Sequence, residues 1–363
     1  MEIEREVVLG AADGPDENIS GGPAYYELPV TKANAMAYYL LRNIYSAGTG
    51  GEDDAEARGE LIALVDRFAG QKSGSGSADD FHNFAVELAR FNEYELSCKI
   101  VEFGLKFFPK NCDLLADYLQ YGLNCGKTKE CRKYFKILFS VPHRRWTWRS
   151  FSFVVNYLQF LAEQSDGERV ISQIFDSLGQ PAAGFEEAGV EERAMLSVAA
   201  EFKRYFPHSE EPYRVEAQIY TYLKRDDLAL ETLGAAEREL SVCPKCSLRR
   251  ADMLFNRGDY DEAGLSVQRA LNGSVQTQSS VNEGYLHYLL ALCIFAGSRK
   301  KDAVLNGEEA KLIYGHFNDA LVEFGDDHQS FKDVIRRTAR NVKSESREDI
   351  PDECGYLIAL TED

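Results

Sequence analysis

The chain has 363 residues, of which 44% are hydrophobic and 28% charged, so it has enough apolar side chains to build a sizeable folded core. Its 41 basic and 59 acidic residues leave a net charge of −18, which argues against indiscriminate binding to nucleic acid or anionic membranes. No apolar run approaches the ~20 residues that span a bilayer, and the N-terminus is acidic. These features predict a soluble, cytoplasmic protein without a signal peptide.

The first eighty residues are predicted to form an acidic leader and a linker. The first sixty contain twelve acids and four bases. Apolar residues at helical spacing predict two helices, at 31–45 and 55–69, within a leader that spans 1–70. Gly and Ser alternate in QKSGSGSADD at 71–80, which is typical of a flexible linker, so we place a domain boundary there.

Residues 81–340 are predicted to be an array of helices. Apolar positions recur at helical spacing, prolines are few, and no alternating strand pattern interrupts them. The pattern also repeats, since Ala217 lies 34 residues before Ala251 in a matching context. Five repeat units are readable, at 78–111, 112–145, 210–243, 244–277 and 284–317. Residues 146–207 are helical but keep the pattern poorly, and 341–363 form an acidic C-terminal tail.

This period resembles that of the tetratricopeptide repeat (TPR) family, whose units follow W-x2-L-G-x2-Y…A-x3-F…P, although no Trp occupies the Trp position here. Small residues such as Ala229 and Ala263 let the two helices of a hairpin approach closely, while larger ones such as Leu254 and Val267 fill the space between hairpins. The resemblance implies an all-α, right-handed superhelix of stacked helical hairpins, a TPR-like α-solenoid with a short N-terminal helical leader. It further implies a non-enzymatic scaffold or adaptor that binds a protein partner in a concave groove.

The resemblance also implies which side chains line that groove, because the family's groove residues occupy fixed positions of each first helix. The expected partner-binding groove residues are Arg214, Gln218, Tyr222, Asp252, Phe255, Asn256, Tyr285, Tyr288 and Phe295. In the first two units the same positions select His82, Arg90, Gln120 and Asn124. An aromatic groove suits a helix or an extended peptide with bulky anchors. The open alternative is that some of these aromatics pack against a terminal capping helix at 317–340.

One segment, 127–149, has a charge opposite to that of the whole chain. It contains eight basic residues, one acid and both tryptophans of the protein. The candidate basic-aromatic patch comprises Lys129, Arg132, Lys133, Lys136, Arg144, Arg145, Trp146, Trp148 and Arg149. Such residues can anchor an acidic protein partner, or hold single-stranded RNA through phosphate pairing and base stacking. Alternatively, the aromatics are core and the bases form the solvated back of a helix, or the face on which the acidic leader docks.

No catalytic, cofactor-binding or metal-binding set can be assembled from the sequence, so we expect neither an enzyme nor a cofactor. Cys243-Pro-Lys-Cys246 is half of a zinc site or a redox dithiol, but no second CxxC or HxxxH accompanies it. The eight cysteines are scattered, which predicts reduced thiols, and the six histidines have no metal-ligand spacing. No phosphate-binding glycine motif is present.

The favoured function is therefore a scaffold, adaptor or regulatory subunit whose partner is another protein or peptide, with 127–149 as a second contact. Nucleic acid is the less favoured partner, and no membrane is expected. One alternative is a peptide-sensing regulator in which the helices at 31–69 act on a target, although a Gly/Ser linker would transmit force poorly. The other is an RNA-binding or RNA-processing subunit that uses the basic segment.

Overall fold

The computed structural model describes residues 28–46, 52–72, 74–177, 189–277, 281–301, 305, 307–324 and 329–345. Within these residues there are sixteen α-helices and no β-strand, which confirms the predicted all-α fold. None of the described helices is both long and apolar enough to cross a bilayer. The chain divides into two compact units on either side of position 181.

Unit 1 contains four helical hairpins in succession, and each hairpin packs against the next. Its helices are α1 (Val30–Ser46), α2 (Glu52–Ala69), α3 (Ala78–Arg90), α4 (Tyr94–Phe107), α5 (Cys112–Asn124), α6 (Thr128–Phe139), α7 (Trp148–Ala162) and α8 (Gly167–Ser177). A 3-10 turn at His143–Arg145 lies between α6 and α7.

The repeat period of unit 1 is marked by the residues that cap its first helices. Ser77, Asn111 and Thr147 precede α3, α5 and α7, and each side chain accepts a hydrogen bond from a backbone N–H in the first helical turn. Side chains of these types satisfy N–H groups that have no partner inside the helix. The caps are 34 and 36 residues apart, and the longer interval contains the 3-10 turn.

The predicted linker at 71–80 lies against the first hairpins in the structure, apart from Ser73, which is outside the described residues. Two of its glycines are sites of close packing: a Cβ at Gly74 would lie 2.8 Å from the ring of Phe107, and one at Gly76 would collide with Val30. The backbone N–H of Val30 also donates to the carbonyl of Ser75 at 3.4 Å.

The hairpin α1/α2 packs on the next hairpin through aromatic side chains. Phe68 of α2 is fully buried, with its ring centroid 5.2 Å from Phe103 of α4 and 5.7 Å from Phe84 of α3. Burying a ring of this size contributes roughly 1.5–3 kcal/mol, which favours docking over independent motion of the leader helices. The boundary predicted at 71–80 lies within unit 1.

Unit 2 contains three hairpins flanked by single helices. Its helices are α9 (Val190–Tyr205), α10 (Glu211–Tyr222), α11 (Asp226–Glu239), α12 (Pro244–Arg257), α13 (Tyr260–Thr277), α14 (Glu283–Lys300), α15 (Gly307–Glu323) and α16 (Gln329–Glu345). Each of the five repeat units read from the sequence corresponds to one hairpin: α3/α4, α5/α6, α10/α11, α12/α13 and α14/α15. The poorly patterned segment 146–207 contains α7, α8 and α9.

Small residues stand where the helices of a hairpin meet. Ala229 and Ala263 are fully buried, as is Cys131 at the equivalent place in α6. Cys131 faces Gly122 of α5, where an added Cβ would lie only 2.5 Å from its sulfur. The close approach of α5 and α6 therefore requires a residue without a side chain at position 122.

The predicted leader and tail both extend beyond the described residues. Most of the acidic tail at 341–363 lies outside the described residues, but 341–345 form the last turn of α16. The predicted capping helix at 317–340 is divided in the structure, because α15 continues to Glu323 and a separate helix, α16, begins at Gln329. Residues 1–27 of the leader also lie outside the described part of the chain.

Candidate interaction surfaces

Helix α6 presents a basic stripe to solvent. Lys129, Lys133 and Lys136 are exposed, and their spacing of four and three residues places them on one face of the helix. Arg144 and Arg145 of the following 3-10 turn are exposed as well. We call these five side chains the basic surface. Among the described residues, Lys129, Lys136, Arg144 and Arg145 make no ion pair, while the ammonium group of Lys133 lies 5.1 Å from the ring centroid of Tyr134.

Arg132, on the same helix, is held by an intramolecular partner. Its guanidinium donates two hydrogen bonds, of 3.0 and 2.9 Å, to the carboxylate of Asp166 just before α8. This bidentate pair lowers the pKa of Asp166 below its ordinary value, chiefly through the hydrogen bonds. Arg132 therefore joins two hairpins of unit 1.

Arg149 is also committed to the fold. Its Nη2 donates to Oδ1 of Asp117 at 2.8 Å, and Asp117 is completely buried on α5. The other oxygen of Asp117 lies 2.6 Å from Nδ1 of His82 on α3. Burial raises the pKa of Asp117, while the hydrogen bond from His82 and the charges of His82 and Arg149 act to lower it. One carboxylate thus links the first helices of three hairpins.

The two tryptophans of the basic-aromatic patch lie in different surroundings. Trp146 is 3% exposed, and its indole N–H donates to the carbonyl of Val141 at 3.0 Å. Its ring packs against Phe139 and Phe151, so it belongs to the core between α6 and α7. Trp148 is 49% exposed at the start of α7, next to the basic surface in sequence.

In unit 2, the aromatic residues predicted for the groove lie against α16. Tyr285 and Tyr288 of α14 are half-buried, with ring centroids 6.4 and 5.9 Å from Phe331. The hydroxyl of Tyr288 also lies 3.3 Å from Oγ1 of Thr338. Phe295 is 9% exposed and belongs to the hydrophobic cluster formed by α14, α15 and α16. These contacts correspond to the capping-helix alternative.

Asp252 of α12 accepts a hydrogen bond of 2.9 Å from the hydroxyl of Tyr285. Burial raises the pKa of this carboxyl group, and the bond from Tyr285 acts in the opposite direction. Phe255, one helical turn further along α12, is half-buried, and its ring centroid lies 5.2 Å from that of Tyr260. Asn256 is exposed beside it.

The predicted groove residues of α10 are more accessible. Arg214 is exposed and pairs with Glu211 one turn earlier, at 2.7 Å. Gln218 is exposed, and Tyr222 is half-buried at the end of the helix. Of the nine predicted groove positions, Arg214, Gln218 and Asn256 are exposed, while the other six are buried or half-buried.

The Cys243–Cys246 motif lies at the start of α12, and both thiols are buried. Burial, followed by the charge of Glu210, raises the pKa of Cys246. The carboxylate of Glu210 accepts hydrogen bonds from the backbone N–H groups of Lys245 and Cys246 at 2.8 and 3.0 Å. The motif thus packs the junction between hairpins, and a side chain from the preceding unit caps its helix.

Among the described residues, three side chains have the geometry to hold a metal ion: His287 of α14, with His316 and Asp319 of α15. Sequence analysis did not find this group, because the histidines are 29 residues apart on different helices. Burial, and then His287, lower the pKa of His316. Asp117 was also missed, because nothing in its local sequence marks it as fully buried.

No protein-family model matches this chain, and neither does any curated protein. Among solved structures, it is 17% identical to TTC0263, a thermophilic TPR protein of Thermus thermophilus, covering 60% of this chain and 99% of that one with a TM-score of 0.40. It is 15% identical to a chain of the Cut9–Hcn1 hetero-tetramer of APC/C, covering 100% of this chain and 67% of that one with a TM-score of 0.41. It is 13% identical to the human IFIT1 dimer with m7Gppp-AAAA, covering 91% of this chain and 72% of that one with a TM-score of 0.37.

At these identities and TM-scores, the similarities say nothing about function. The helical hairpins of the chain and their period of about 34 residues make it a TPR-like helical repeat protein.

Proposed function

We propose that this chain is a non-enzymatic scaffold or adaptor that binds an acidic protein partner through the basic surface, with Trp148 as an apolar anchor. One observation carries the proposal: exposed bases that make no ion pair with any described residue follow one another on α6 and its following turn, in a chain whose net charge is −18. The chain has an excess of carboxylates, yet none of those in its described part pairs with these bases, which supports a role for them in binding another molecule.

Bases elsewhere in the chain support this reasoning, because many of them are paired. Arg225 binds Glu192 through two hydrogen bonds of 2.7 and 3.1 Å. Arg250 lies 3.4 Å from Glu237, which is almost fully buried, and Arg269 contacts the same carboxylate. Complementary charge steers a partner to its site and selects against wrong partners, while Trp and Arg are enriched among the residues that dominate interface energies.

The predicted groove is only a secondary contact surface in the proposed function. Tyr285, Tyr288 and Phe295 bury their rings within unit 2, so they are not available as anchors for a peptide while α16 remains docked. Within unit 2, exposed polar groups on α10 and α12, such as Gln218 and Asn256, provide a weaker candidate contact surface. In the proposed scaffold, the partner therefore makes its principal contact with the basic surface and not with the groove.

Single-stranded RNA is the less favoured occupant. Sequence-tolerant RNA binding combines a basic track with several aromatic rings on which successive bases stack. Trp146 is in the core and Tyr134 is half-buried beneath Lys133, which leaves Trp148 as the only exposed large aromatic in 127–149. A protein partner needs only one such anchor, and Trp148 supplies one next to the basic surface in sequence.

The test uses charge reversal of one triple of lysines against a matched control. The first variant is K129E/K133E/K136E, on α6. The control reverses three other exposed lysines of unit 1, K32E/K72E/K110E, and so changes the net charge by the same amount. Both are used as bait in nuclease-treated and untreated native lysate, with quantitative mass spectrometry of the captured proteins.

We expect an acidic protein to be captured by the wild type and by the control triple, with or without nuclease treatment. Its captured amount should fall at least tenfold on the α6 triple. Equal capture by the two triples would contradict the proposed surface. Loss of the captured proteins on nuclease treatment would favour RNA. In that case, the affinity for a single-stranded RNA oligonucleotide should fall steeply with salt, with a slope of about −0.7 for each phosphate contact.

A further inference from the structure

The hairpin α14/α15 brings two imidazoles and one carboxylate together at a point unrelated to the basic surface. Nδ1 of His287 lies 3.1 Å from Nδ1 of His316. Oδ2 of Asp319 lies 3.7 Å from the first nitrogen and 3.9 Å from the second. The side chains of His287 and His316 are 22% and 18% exposed, and that of Asp319 is 52% exposed.

Two facing Nδ1 atoms cannot both be unprotonated acceptors without repulsion, so something positive must lie between them. A single proton shared in an N–H···N hydrogen bond is one solution, and a metal ion is the other. The carboxylate oxygen lies almost equally far from both nitrogens and hydrogen-bonds to neither, so it can complete a set of three donor atoms for such an ion.

The triangle of donor atoms has the size that a zinc ion requires. From the three separations, the point equidistant from the donors in their own plane lies about 2.1 Å from each, which is the shortest equal distance that these positions allow. Zn²⁺ binds imidazole nitrogen at about 2.0–2.1 Å and carboxylate oxygen at about 2.0–2.2 Å. Two nitrogens and one oxygen also match the preferences of Zn²⁺, Cu²⁺ and Ni²⁺ more closely than those of Ca²⁺ or Mg²⁺, which take oxygen ligands.

We propose that His287, His316 and Asp319 form a Zn²⁺ site that joins α14 to α15, with a fourth position open to water. Its place in the fold gives it a structural consequence. The ring of Tyr288, next to His287, lies 6.1 Å from that of Phe317, next to His316, and the hydroxyl of Tyr288 contacts α16. A metal bridge between the two histidines therefore holds the two helices on which α16 packs.

Metal content tests the proposal directly. The chain is purified without a histidine tag, stripped with EDTA, and equilibrated with Zn²⁺ by dialysis, and bound zinc is counted by mass spectrometry. We expect one zinc ion per chain. The variants H287Q and H316Q should each weaken binding at least tenfold, since even the loss of an outer-shell group costs about 10- to 100-fold. The matched control is H208Q, because His208 is an exposed histidine of the same unit.

Cobalt substitution separates this site from the buried cysteine pair of α12. Co²⁺ held by nitrogen and oxygen shows visible ligand-field bands without the near-ultraviolet charge-transfer band that thiolate ligands produce. The spectrum should be retained in C243S/C246S and lost in H287Q and H316Q, with far-ultraviolet circular dichroism showing that the variants remain helical. Absence of stoichiometric zinc in the wild type, or undiminished zinc in both histidine variants, would overturn the proposal and leave a proton-sharing histidine pair.

Discussion

Substitution of Arg149 by Met tests whether this residue belongs to the fold or to a binding surface. The change removes the guanidinium that donates to Asp117 at 2.8 Å and leaves a fully buried carboxylate with His82 as its remaining side-chain partner. Removing one partner of a buried ion pair typically costs about 3–5 kcal/mol. Because Arg149 is 20% exposed, solvent screening reduces this cost, and we expect the free energy of unfolding of unit 1 to fall by about 3 kcal/mol.

The assay exploits the position of the tryptophans. Trp146 and Trp148 are the only two in the chain and both lie in unit 1, so their fluorescence in a urea titration follows the unfolding of that unit. With a urea dependence of about 2 kcal/mol per molar, a loss of 3 kcal/mol lowers the midpoint by about 1.5 M. The control R145M removes an exposed arginine and should stay within about 0.5 kcal/mol.

The pH dependence supplies an independent check. Burial already raises the pKa of Asp117, so the native state holds this proton more tightly than the unfolded chain does, and this contribution to stability is lost as pH rises through the native pKa. Removing Arg149 raises that pKa further, so the penalty of R149M should be larger at neutral pH than near pH 4. Asp117→Asn in the R149M background should recover part of the stability. Equal midpoints for R149M and R145M would refute the reasoning.

Three further predictions concern packing. Gly122→Ala should lower stability by about 1–3 kcal/mol, because its Cβ would lie 2.5 Å from the sulfur of Cys131. Gly59→Ala has open space around its Cβ and should raise stability by at most about 1 kcal/mol. Opposite shifts of the tryptophan-monitored urea midpoint check both predictions. Phe331→Ala should lower stability by about 2–4 kcal/mol and speed hydrogen exchange in α16. Val334→Ala, at an exposed position of the same helix, should do neither. Equal exchange rates in the two variants would contradict the packing of α16 on α14. Burial raises the pKa of Cys131 to about 12, so this thiol should resist DTNB at pH 8 until the chain unfolds, and rapid native labelling would count against its burial.

Local patterns in the sequence determined the helices and their pairing into hairpins. Apolar side chains at helical spacing and small residues such as Ala229 and Ala263 recur with the repeat, and each acts within a few turns of its own helix. For that reason the five readable units correspond to five hairpins of the structure. The concentration of positive charge in 127–149 is equally local, and the exposed part of it comprises the lysines of α6 together with Arg144 and Arg145.

Tertiary structure alone decided what each side chain meets. Arg149 reaches Asp117 from a helix that begins a full repeat later, and Tyr288 meets a helix separated from it by the whole of α15. His287 finds His316 in the same way. Such contacts depend on the stacking register of the helices, which periodicity within one helix does not specify, since a given face can turn toward solvent, a neighbouring hairpin or a cap. The sequence therefore determines the repeat, and packing between repeats decides which charged and aromatic groups remain available for binding.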